Sequence, residues 1–268
     1  MKKVISLLCC LVLLALAVSP CFAVETEKGS YVVLGDSIAQ GFGIYNRDKA
    51  SYGRIVADTI DYAYANYGVN GLRSWDLIEL LAREDVARSV TDADIISLSI
   101  GGNDYLQQDL PKIAFRLMQG DEKILNDIEA NYKEYFAEII NILRDLNPDA
   151  VILVQTLYNP MTGLLGKFYG QATGRVNRDI LAYHEEYPDD VEIVDTRPAM
   201  EGKRECIAID TIHPSAVGNV ELAKVVLAKL ADLGYSPTSE PVINCIGIDK
   251  LPFSSYILRW FYELIGLR

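Results

Sequence analysis

Short apolar runs alternate along the chain with longer segments in which apolar residues recur at spacings of three and four. Short runs bounded by turn residues predict buried β-strands, and they fall at residues 31–34, 67–69, 94–100, 150–155 and 191–194. The longer segments predict amphipathic helices, which fall at residues 52–65, 74–88, 124–146, 171–186 and 215–233. Predicted strands and helices therefore follow one another in turn.

This alternation indicates the fold class. Parallel strands need a crossover connection, usually a helix, between the end of one strand and the start of the next. Helices then cover both faces of the sheet, so that its strands are apolar along their whole length. We therefore expect an α/β fold of the flavodoxin-like class, a three-layer α/β/α sandwich with a central parallel sheet of about five strands.

Residues 1–23 have the pattern of a secretory signal peptide. Two lysines precede an apolar stretch at residues 4–18 that is short for a membrane span, and small residues follow it. Cys21 and Ala23 stand where signal peptidase selects small side chains, so we expect cleavage near Ala23 and a protein that is secreted or associated with the cell envelope. In the alternative, Cys21 is lipidated, but Pro20 stands where that pathway needs a small flexible residue.

We expect one folded domain over residues 24–233, which contain all of the predicted strands and core helices. Residues 234–268 lack this alternation of strands and helices. Three prolines and no helical period up to Pro252 predict an extended tail along the surface, and an apolar stripe over residues 253–265 predicts a final helix. We expect this helix to pack on the domain. Contact with a membrane or a substrate is the alternative, although few basic residues flank the stripe.

Charge and histidine content exclude several classes of function. The 37 acidic residues exceed the 25 basic ones and give a net charge of -12, which leaves no broad basic surface for nucleic acid. The two histidines, His184 and His213, are too few for a three-histidine zinc site, and no Cys-x-x-Cys or His-Glu-x-x-His spacing is present. We expect neither a nucleic-acid partner nor a zinc ion.

Removal of the predicted signal peptide would leave Cys206 and Cys245 as the remaining cysteines. In an oxidising compartment they could form a disulfide that closes a loop of roughly 40 residues and contributes about 3 to 4 kcal/mol on the chain-entropy model. The alternative is two free thiols, and the sequence leaves both open.

Candidate catalytic residues follow the predicted strands. In chain order they are Gly35-Asp36-Ser37, Gly71, Gly102-Asn103-Asp104 and, before the last core helix, Asp210-Thr211-Ile212-His213. Ligands bind beyond the carboxyl ends of the strands in open parallel sheets. We therefore expect these segments to meet at one edge of the sheet.

The residue types in these segments suit nucleophilic catalysis. A serine nucleophile needs a base that takes its proton, an acid that orients the base, and donors that stabilise the developing oxyanion. Ser37, His213 and Asp210 suit the first three roles, and Asn103 with two backbone amides suits the fourth. Asp210 lies three residues before His213, so that one short turn can bring its carboxylate to the imidazole Nδ1.

The four segments, in this order, resemble the sequence blocks of the GDSL/SGNH hydrolases over about residues 30–233. The resemblance implies a serine hydrolase with a three-layer α/β/α fold and without a metal or other cofactor. It implies that Ser37 is the nucleophile, His213 the general base and Asp210 its orienting acid. It also implies an oxyanion hole made by the backbone amides of Ser37 and Gly71 and the side chain of Asn103.

The chain departs from the family pattern at two places. Ile38 stands where the family name has leucine, a change of similar volume. Leu72-Arg73-Ser74 follows Gly71, where small polar residues are commoner in the family. The Gly-x-Ser-x-Gly elbow of the α/β hydrolases, a different serine-esterase fold, is absent because Ala39 stands at its last position, and this argues against that fold.

Residues near the predicted strand ends are candidates for substrate contact. Tyr105 follows Asn103-Asp104, and Tyr158 and Asn159 follow the fourth strand, so we expect all three side chains on the rim of the site. Residues 161–169 combine glycines with apolar side chains and predict an apolar loop beside it. Aromatic rims suit acyl chains and sugar rings alike.

The sequence therefore predicts a secreted serine esterase or lipase that hydrolyses carboxylic esters, on small molecules or on a polymer, through an acyl-enzyme. A carbohydrate O-acetylesterase of the same fold is the alternative. A binding or surface protein that keeps the fold without catalysis is a third interpretation, although all five functional positions are filled.

Overall fold

The computed structural model describes residues 28–108, 113, 116, 119–250 and 264 of the 268-residue chain. Within these residues, five strands form one sheet in the order β2-β1-β3-β4-β5, and all neighbouring strands are parallel. The strands are β1 (Ser30–Gly35), β2 (Ala63–Gly68), β3 (Ile95–Ser99), β4 (Val151–Gln155) and β5 (Glu192–Val194). The strand order reverses between β1 and β3, which is where open α/β sheets bind their ligands.

Helices connect the strands. Those before β3 are α1 (Ser37–Gln40), α2 (Arg47–Ala50), α3 (Tyr52–Ile60), α4 (Ser74–Leu81) and α5 (Glu84–Thr91). Those after β3 are α6 (Gly102–Leu106), α7 (Lys123–Leu146), α8 (Gly163–Glu186), α9 (Arg197–Met200) and α10 (Ala216–Asp232). A short 3-10 helix, Arg204–Cys206, precedes α10.

The hydrophobic core has two parts, one on each face of the sheet. Successive residues of a strand point to opposite faces. Val32 and Leu34 of β1 accordingly pack with α4, α5, α7 and α8. Tyr31 and Val33 pack with α3, α9 and α10. Helices thus cover both faces, which confirms the predicted three-layer α/β/α sandwich.

The predicted boundary between the first long helix and the second strand is wrong. α3 ends at Ile60, and β2 already begins at Ala63. Asp61 ends the helix with a positive φ (58°), and its amide donates to the Ala57 carbonyl. Because β2 is an edge strand whose residues are mostly only partly buried, it lacks the apolar run that predicts a buried strand.

Two further predicted segments differ from the structure. Residues 74–88 form two helices, α4 and α5, because the backbone is extended at Arg83 (ψ 135°). The predicted apolar loop at residues 161–169 is largely the start of α8, which begins at Gly163. Gly166 has a packing role there, since a Cβ would lie 2.6 Å from the Met161 carbonyl oxygen.

Residues 234–250 form a tail that runs along the domain surface. The Val242 amide donates to Thr59 Oγ1 (2.9 Å), and Asn244 Nδ2 donates to Asp58 Oδ2 (3.1 Å). The predicted signal peptide and, apart from Leu264, the predicted C-terminal helix lie outside the described residues. In the part of the chain that is described, no helix has both the length and the apolarity to cross a membrane.

Cys206 and Cys245 are free thiols in the structure, which is one of the two states that the sequence left open. Cys206 is buried in the core beside α10. Cys245 lies on the surface tail, where its Sγ accepts a hydrogen bond from Asn46 Nδ2 (3.3 Å). One thiol therefore lies inside the core and the other on the tail, and the structure has no disulfide between them.

Candidate active site

Ser37 lies directly after β1, where the strand order reverses. Gly35 ends the strand with a positive φ (127°), and a Cβ there would lie 1.9 Å from the Ser99 carbonyl oxygen. Only glycine therefore allows the chain to pass so close to β3. Asp36 then caps α1, since its carboxylate accepts a hydrogen bond from the Ile38 amide (2.9 Å). Ser37 is the first residue of this helix and is 7% exposed.

The Asp36 carboxyl group is 4% exposed, and burial raises its pKa to about 7. The hydrogen bond from Ile38 and the nearby His213 oppose this shift, whereas Asp104 adds to it. Asp36 lines the same cavity as Ser37. A carboxyl group that exchanges between its neutral and charged forms near pH 7 thus lies beside the candidate nucleophile.

Asp210 and His213 form a hydrogen-bonded pair. Asp210 Oδ2 lies 2.9 Å from His213 Nδ1, and Oδ1 accepts bonds from the amides of Ile212 (3.1 Å) and His213 (3.0 Å). Thr211, with a positive φ (73°), turns the chain between them. Burial raises the pKa of Asp210, but the hydrogen bonds and the imidazole outweigh it and hold this pKa below its ordinary value. Asp210 is therefore ionised at neutral pH and orients Nδ1, which leaves Nε2 to accept a proton.

Phe42 links the segments of Ser37 and His213. Its amide donates to the Ser37 carbonyl (3.0 Å), and its ring lies 4.8 Å from the His213 ring, centroid to centroid. Gly43 allows this approach, since a Cβ there would lie 2.0 Å from the Pro214 carbonyl oxygen. Among the described residues, the His213 ring bonds to Asp210 and makes no hydrogen bond to Ser37 Oγ. Such bonds are often long in active sites before substrate binds.

Helix α6 positions the residues predicted for the oxyanion hole. Asn103 Nδ2 donates to the Leu72 carbonyl (2.9 Å), and Gln107 Nε2 donates to the Gly71 carbonyl. The turn that contains Gly71 closes through a hydrogen bond from the Leu72 amide to the Val69 carbonyl (3.1 Å), and Gly71 has a positive φ of 83°. In the described residues the Gly71 amide has no acceptor. Asn103 has a second N–H on the same nitrogen, which is available to a ligand.

Asp104 and Ser74, to which the sequence analysis assigned no role, hold α6 against α4. The buried Asp104 carboxylate accepts bonds from the amide (3.1 Å) and the hydroxyl of Ser74. Burial raises the pKa of Asp104. The two residues lie 30 positions apart, so that no local pattern predicts their contact.

A cavity of about 50 Å³ lies beside two of the candidate residues. Ser37 and Asn103 line it, whereas His213 does not. Its polar lining at the strand ends comprises Ser99, Gln155, Thr156 and Thr196, and its apolar lining comprises Ile38, Leu106, Leu157, Tyr158, Pro160, Tyr169 and Ile212. Within the described chain, no group of three or more His, Cys, Asp or Glu side chains is placed to hold a metal ion.

The side chains predicted on the rim lie in three different environments. Tyr158 lines the cavity, and its hydroxyl donates to the Ile212 carbonyl (2.9 Å). The prediction for Tyr105 is wrong, because its ring is fully buried in the core. Residues two positions apart on a helix point roughly 200° apart, so Tyr105 faces the core when Asn103 faces the cavity. Asn159 does not line the cavity either, and its Nδ2 donates to the Gly166 carbonyl (2.8 Å) at the start of α8.

Comparison with known proteins identifies relatives. The sequence model of the GDSL-like lipase/acylhydrolase family matches residues 33–220. The chain is 31% identical over 153 residues to the uncharacterised protein YpmR of Bacillus subtilis (strain 168), and this alignment spans 53% of the chain and 58% of YpmR. The lipase Lip_vut3 from a goat rumen metagenome has a TM-score of 0.61 at 22% identity, over 78% of this chain and 99% of that one. A variant of Axe2, an acetyl-xylooligosaccharide esterase from Geobacillus stearothermophilus, has a TM-score of 0.58 at 21% identity, over 76% of this chain and 96% of the Axe2 chain.

These findings agree with the site geometry. At such identities the solved structures show a common fold. The family match includes Ser37, Gly71, Asn103, Asp210 and His213 and spans more than half of the chain. The chain therefore belongs to the GDSL-like lipase/acylhydrolase family, and so to the carboxylic ester hydrolases.

Proposed function

We propose that the protein is a serine esterase in which Ser37, His213 and Asp210 form a catalytic triad. The observation that carries this proposal is the Asp210–His213 pair (2.9 Å), whose imidazole contacts the ring of Phe42, the residue that is hydrogen-bonded to the Ser37 carbonyl. Because Asp210 holds Nδ1, Nε2 is the nitrogen that takes the Ser37 proton. Ser37 Oγ then attacks the ester carbonyl, His213 returns the proton to the leaving alcohol, and water hydrolyses the acyl-enzyme.

Three donors stabilise the oxyanion in this mechanism. They are the Ser37 amide at the start of α1, the Gly71 amide and the Asn103 side chain. The hydrogen bonds from Asn103 and Gln107 to the turn restrain the peptide groups around Gly71. Donors held in place before the reaction lower its barrier, because they need not reorient as charge develops.

The cavity beside Ser37 is suited to the acyl group of the substrate. Ser37 and Asn103 line it and His213 does not, whereas the leaving alcohol must contact His213 to receive a proton. Apolar side chains form a large part of its lining, among them Ile38, Leu106 and Leu157. An apolar lining favours the hydrocarbon part of an acyl group, so we assign the acyl group of the ester to this cavity.

The aromatic lining of the cavity supports a second candidate, a carbohydrate O-acetylesterase. Tyr158 and Tyr169 line the cavity, and aromatic rings pack well against sugar faces. Axe2, whose fold the chain shares, is an acetyl-xylooligosaccharide esterase. We place a broad esterase first, because the cavity accounts for the acyl group and leaves the alcohol undefined.

Hydrolysis of p-nitrophenyl esters from acetate to decanoate tests the proposal, with Ser37→Ala measured in parallel. We expect turnover that is lost in Ser37→Ala and that peaks at one acyl length within this series. Equal turnover at every acyl length would contradict the assignment of the acyl group to the cavity. Acetylated xylo-oligosaccharides, assayed by acetate release, distinguish the second candidate. Absence of Ser37-dependent turnover on every ester, together with absence of fluorophosphonate labelling at Ser37, would support a binding protein instead.

We also propose that the protein is exported and that residues 1–23 are removed. The support is the charged start, apolar stretch and small residues of this segment. Mass spectrometry of protein recovered outside the producing cell should find an N-terminus at Val24. An exported protein that still carries Met1 would contradict cleavage.

A further inference from the structure

The last described part of the tail, residues 242–250, lies against the segment that follows Phe42, and we name it the C-terminal strap. Four hydrogen bonds of 2.7 to 3.0 Å join the strap to residues 43–46. Donor first, the pairs are Tyr45–Ile248, Lys250–Gly43, Asn46–Ile246 and Ile248–Asn46. An antiparallel bridge between Ile44 and Asp249 accompanies them. The strap is therefore paired with the segment that carries Phe42.

The strap also contacts the start of α10, just after His213. Asp249 Oδ1 accepts a hydrogen bond from the amide of Ala216, the first residue of that helix (2.6 Å). A carboxylate at this position satisfies a free amide and interacts favourably with the helix dipole. The strap thus joins the segment after Ser37 to the segment after His213.

Lys250 lies over the ring of Phe42, and Phe42 contacts His213. Lys250 Nζ is 3.5 Å from the centroid of the Phe42 ring, and the Phe42 and His213 rings meet at 4.8 Å with an interplanar angle of 57°. None of the carboxylates in the described residues forms an ion pair with Lys250. Burial and the nearby Arg47 lower the pKa of Lys250, and the Asp210 carboxylate opposes this shift. An ammonium that has lost part of its hydration is attracted more strongly to an aromatic face.

We propose that Lys250 positions the His213 imidazole through the Phe42 ring, so that Nε2 faces Ser37. The argument rests on the proposed function of His213 as general base. Asp210 holds only the Nδ1 edge of the imidazole, and Ser37 does not hold the opposite edge. The plane of the imidazole therefore needs a further restraint. Contact with the Phe42 ring supplies it, and Lys250 holds the Phe42 ring in place. The strap lies beyond residues 33–220, so this positioning comes from a part of the chain outside the family match.

Two substitutions of Lys250 in the full chain test the proposal. Lys250→Met removes the ammonium, whereas Lys250→Arg keeps a cation that can lie over the same ring. We expect Lys250→Met to lower kcat, and the rate of fluorophosphonate labelling at Ser37, by about two- to thirtyfold, the effect of losing one cation–π contact. KM should not change, since Lys250 does not line the cavity. Lys250→Arg should restore most of both rates.

Lys49→Met is the matched control. Lys49 is exposed on α2, and its replacement removes the same charge without touching Phe42 or His213. Both rates should equal those of the unmodified protein. A loss in Lys49→Met as large as that in Lys250→Met would assign the effect to net charge and overturn the proposal.

A double-mutant cycle with Phe42→Leu separates positioning from a general structural effect. If Lys250 acts through the Phe42 ring, adding Lys250→Met to Phe42→Leu causes no further loss of either rate. Equal losses in the two backgrounds would overturn the proposal, as would unchanged rates in Lys250→Met or failure of Lys250→Arg to restore them. If Phe42→Leu does not fold, the Lys250 pair decides alone. Full activity in Ser37→Ala would instead overturn the proposed function itself, so the two failures are distinguishable.

Discussion

Replacement of Asp36 by asparagine should stabilise the folded protein, and the gain should increase with pH. Burial raises the pKa of Asp36 from 3.8 to about 7 in the folded state. Between these values the unfolded chain releases the proton while the folded chain retains it. The contribution of Asp36 to stability is therefore greatest below pH 3.8 and is lost as the pH rises to about 7.

The magnitude follows from the two pKa values. Each pH unit between 3.8 and about 7 costs about 1.4 kcal/mol of folding free energy, and the cost levels off at about 4 kcal/mol above the folded-state pKa. At pH 5 the cost is about 2 kcal/mol. Asparagine does not ionise, and its Oδ1 can still accept the bond from the Ile38 amide. Asp36→Asn should therefore raise the free energy of unfolding by about 4 kcal/mol at pH 8 and by about 2 kcal/mol at pH 5.

Urea unfolding of the two proteins at pH 5 and pH 8 measures this difference. Asp48→Asn is the control, since Asp48 is exposed on α2 and its replacement removes the same charge. It should change the free energy of unfolding by less than about 0.5 kcal/mol at either pH. If Asp36→Asn raised the free energy of unfolding equally at the two pH values, or lowered it at pH 8, the pKa of Asp36 would not be raised by burial.

Three further predictions concern the active site. Asn103→Ala should lower kcat by about 100- to 1,000-fold through loss of one oxyanion donor, with the far-ultraviolet circular dichroism unchanged, and full activity would contradict that role. Asp210→Asn should lower kcat by about 10⁴-fold, because the amide no longer holds the reactive imidazole tautomer, and a loss below tenfold would exclude Asp210 as the orienting acid. Tyr169→Ala should extend the acyl cavity and move the p-nitrophenyl ester optimum to longer chains, whereas Tyr169→Phe should not, and an unchanged optimum would place the acyl group elsewhere.

Local patterns predict much of the fold. The period of three and four over residues 124–146 persists along the whole segment, and the structure has α7 at Lys123–Leu146. The pattern fails at β2, where an edge strand is only partly buried and includes Ala65 and Asn66. Strand β2 exists because its backbone pairs with β1, and pairing of this kind leaves no period in either segment.

The candidate site could be predicted where its residues act within one segment. Asp210 and His213 are three positions apart, so that one turn brings the carboxylate to the imidazole. Gln107 and Gly71 lie 36 positions apart, and Lys250 contacts Phe42 from the C-terminal strap. No turn propensity or hydrophobic period relates such pairs, because their contact depends on how separate elements pack.

Local sequence accounts for the alternation of strands and helices, the chemistry available after the strands and the pairing of Asp210 with His213. The packing of separate elements placed Tyr105 in the core, left a cavity of about 50 Å³ beside Ser37, and brought the C-terminal strap to Phe42. Backbone propensity and hydrophobic period act over a few neighbouring residues. The shape of a cavity instead depends on side chains from distant segments that fill the same close-packed space.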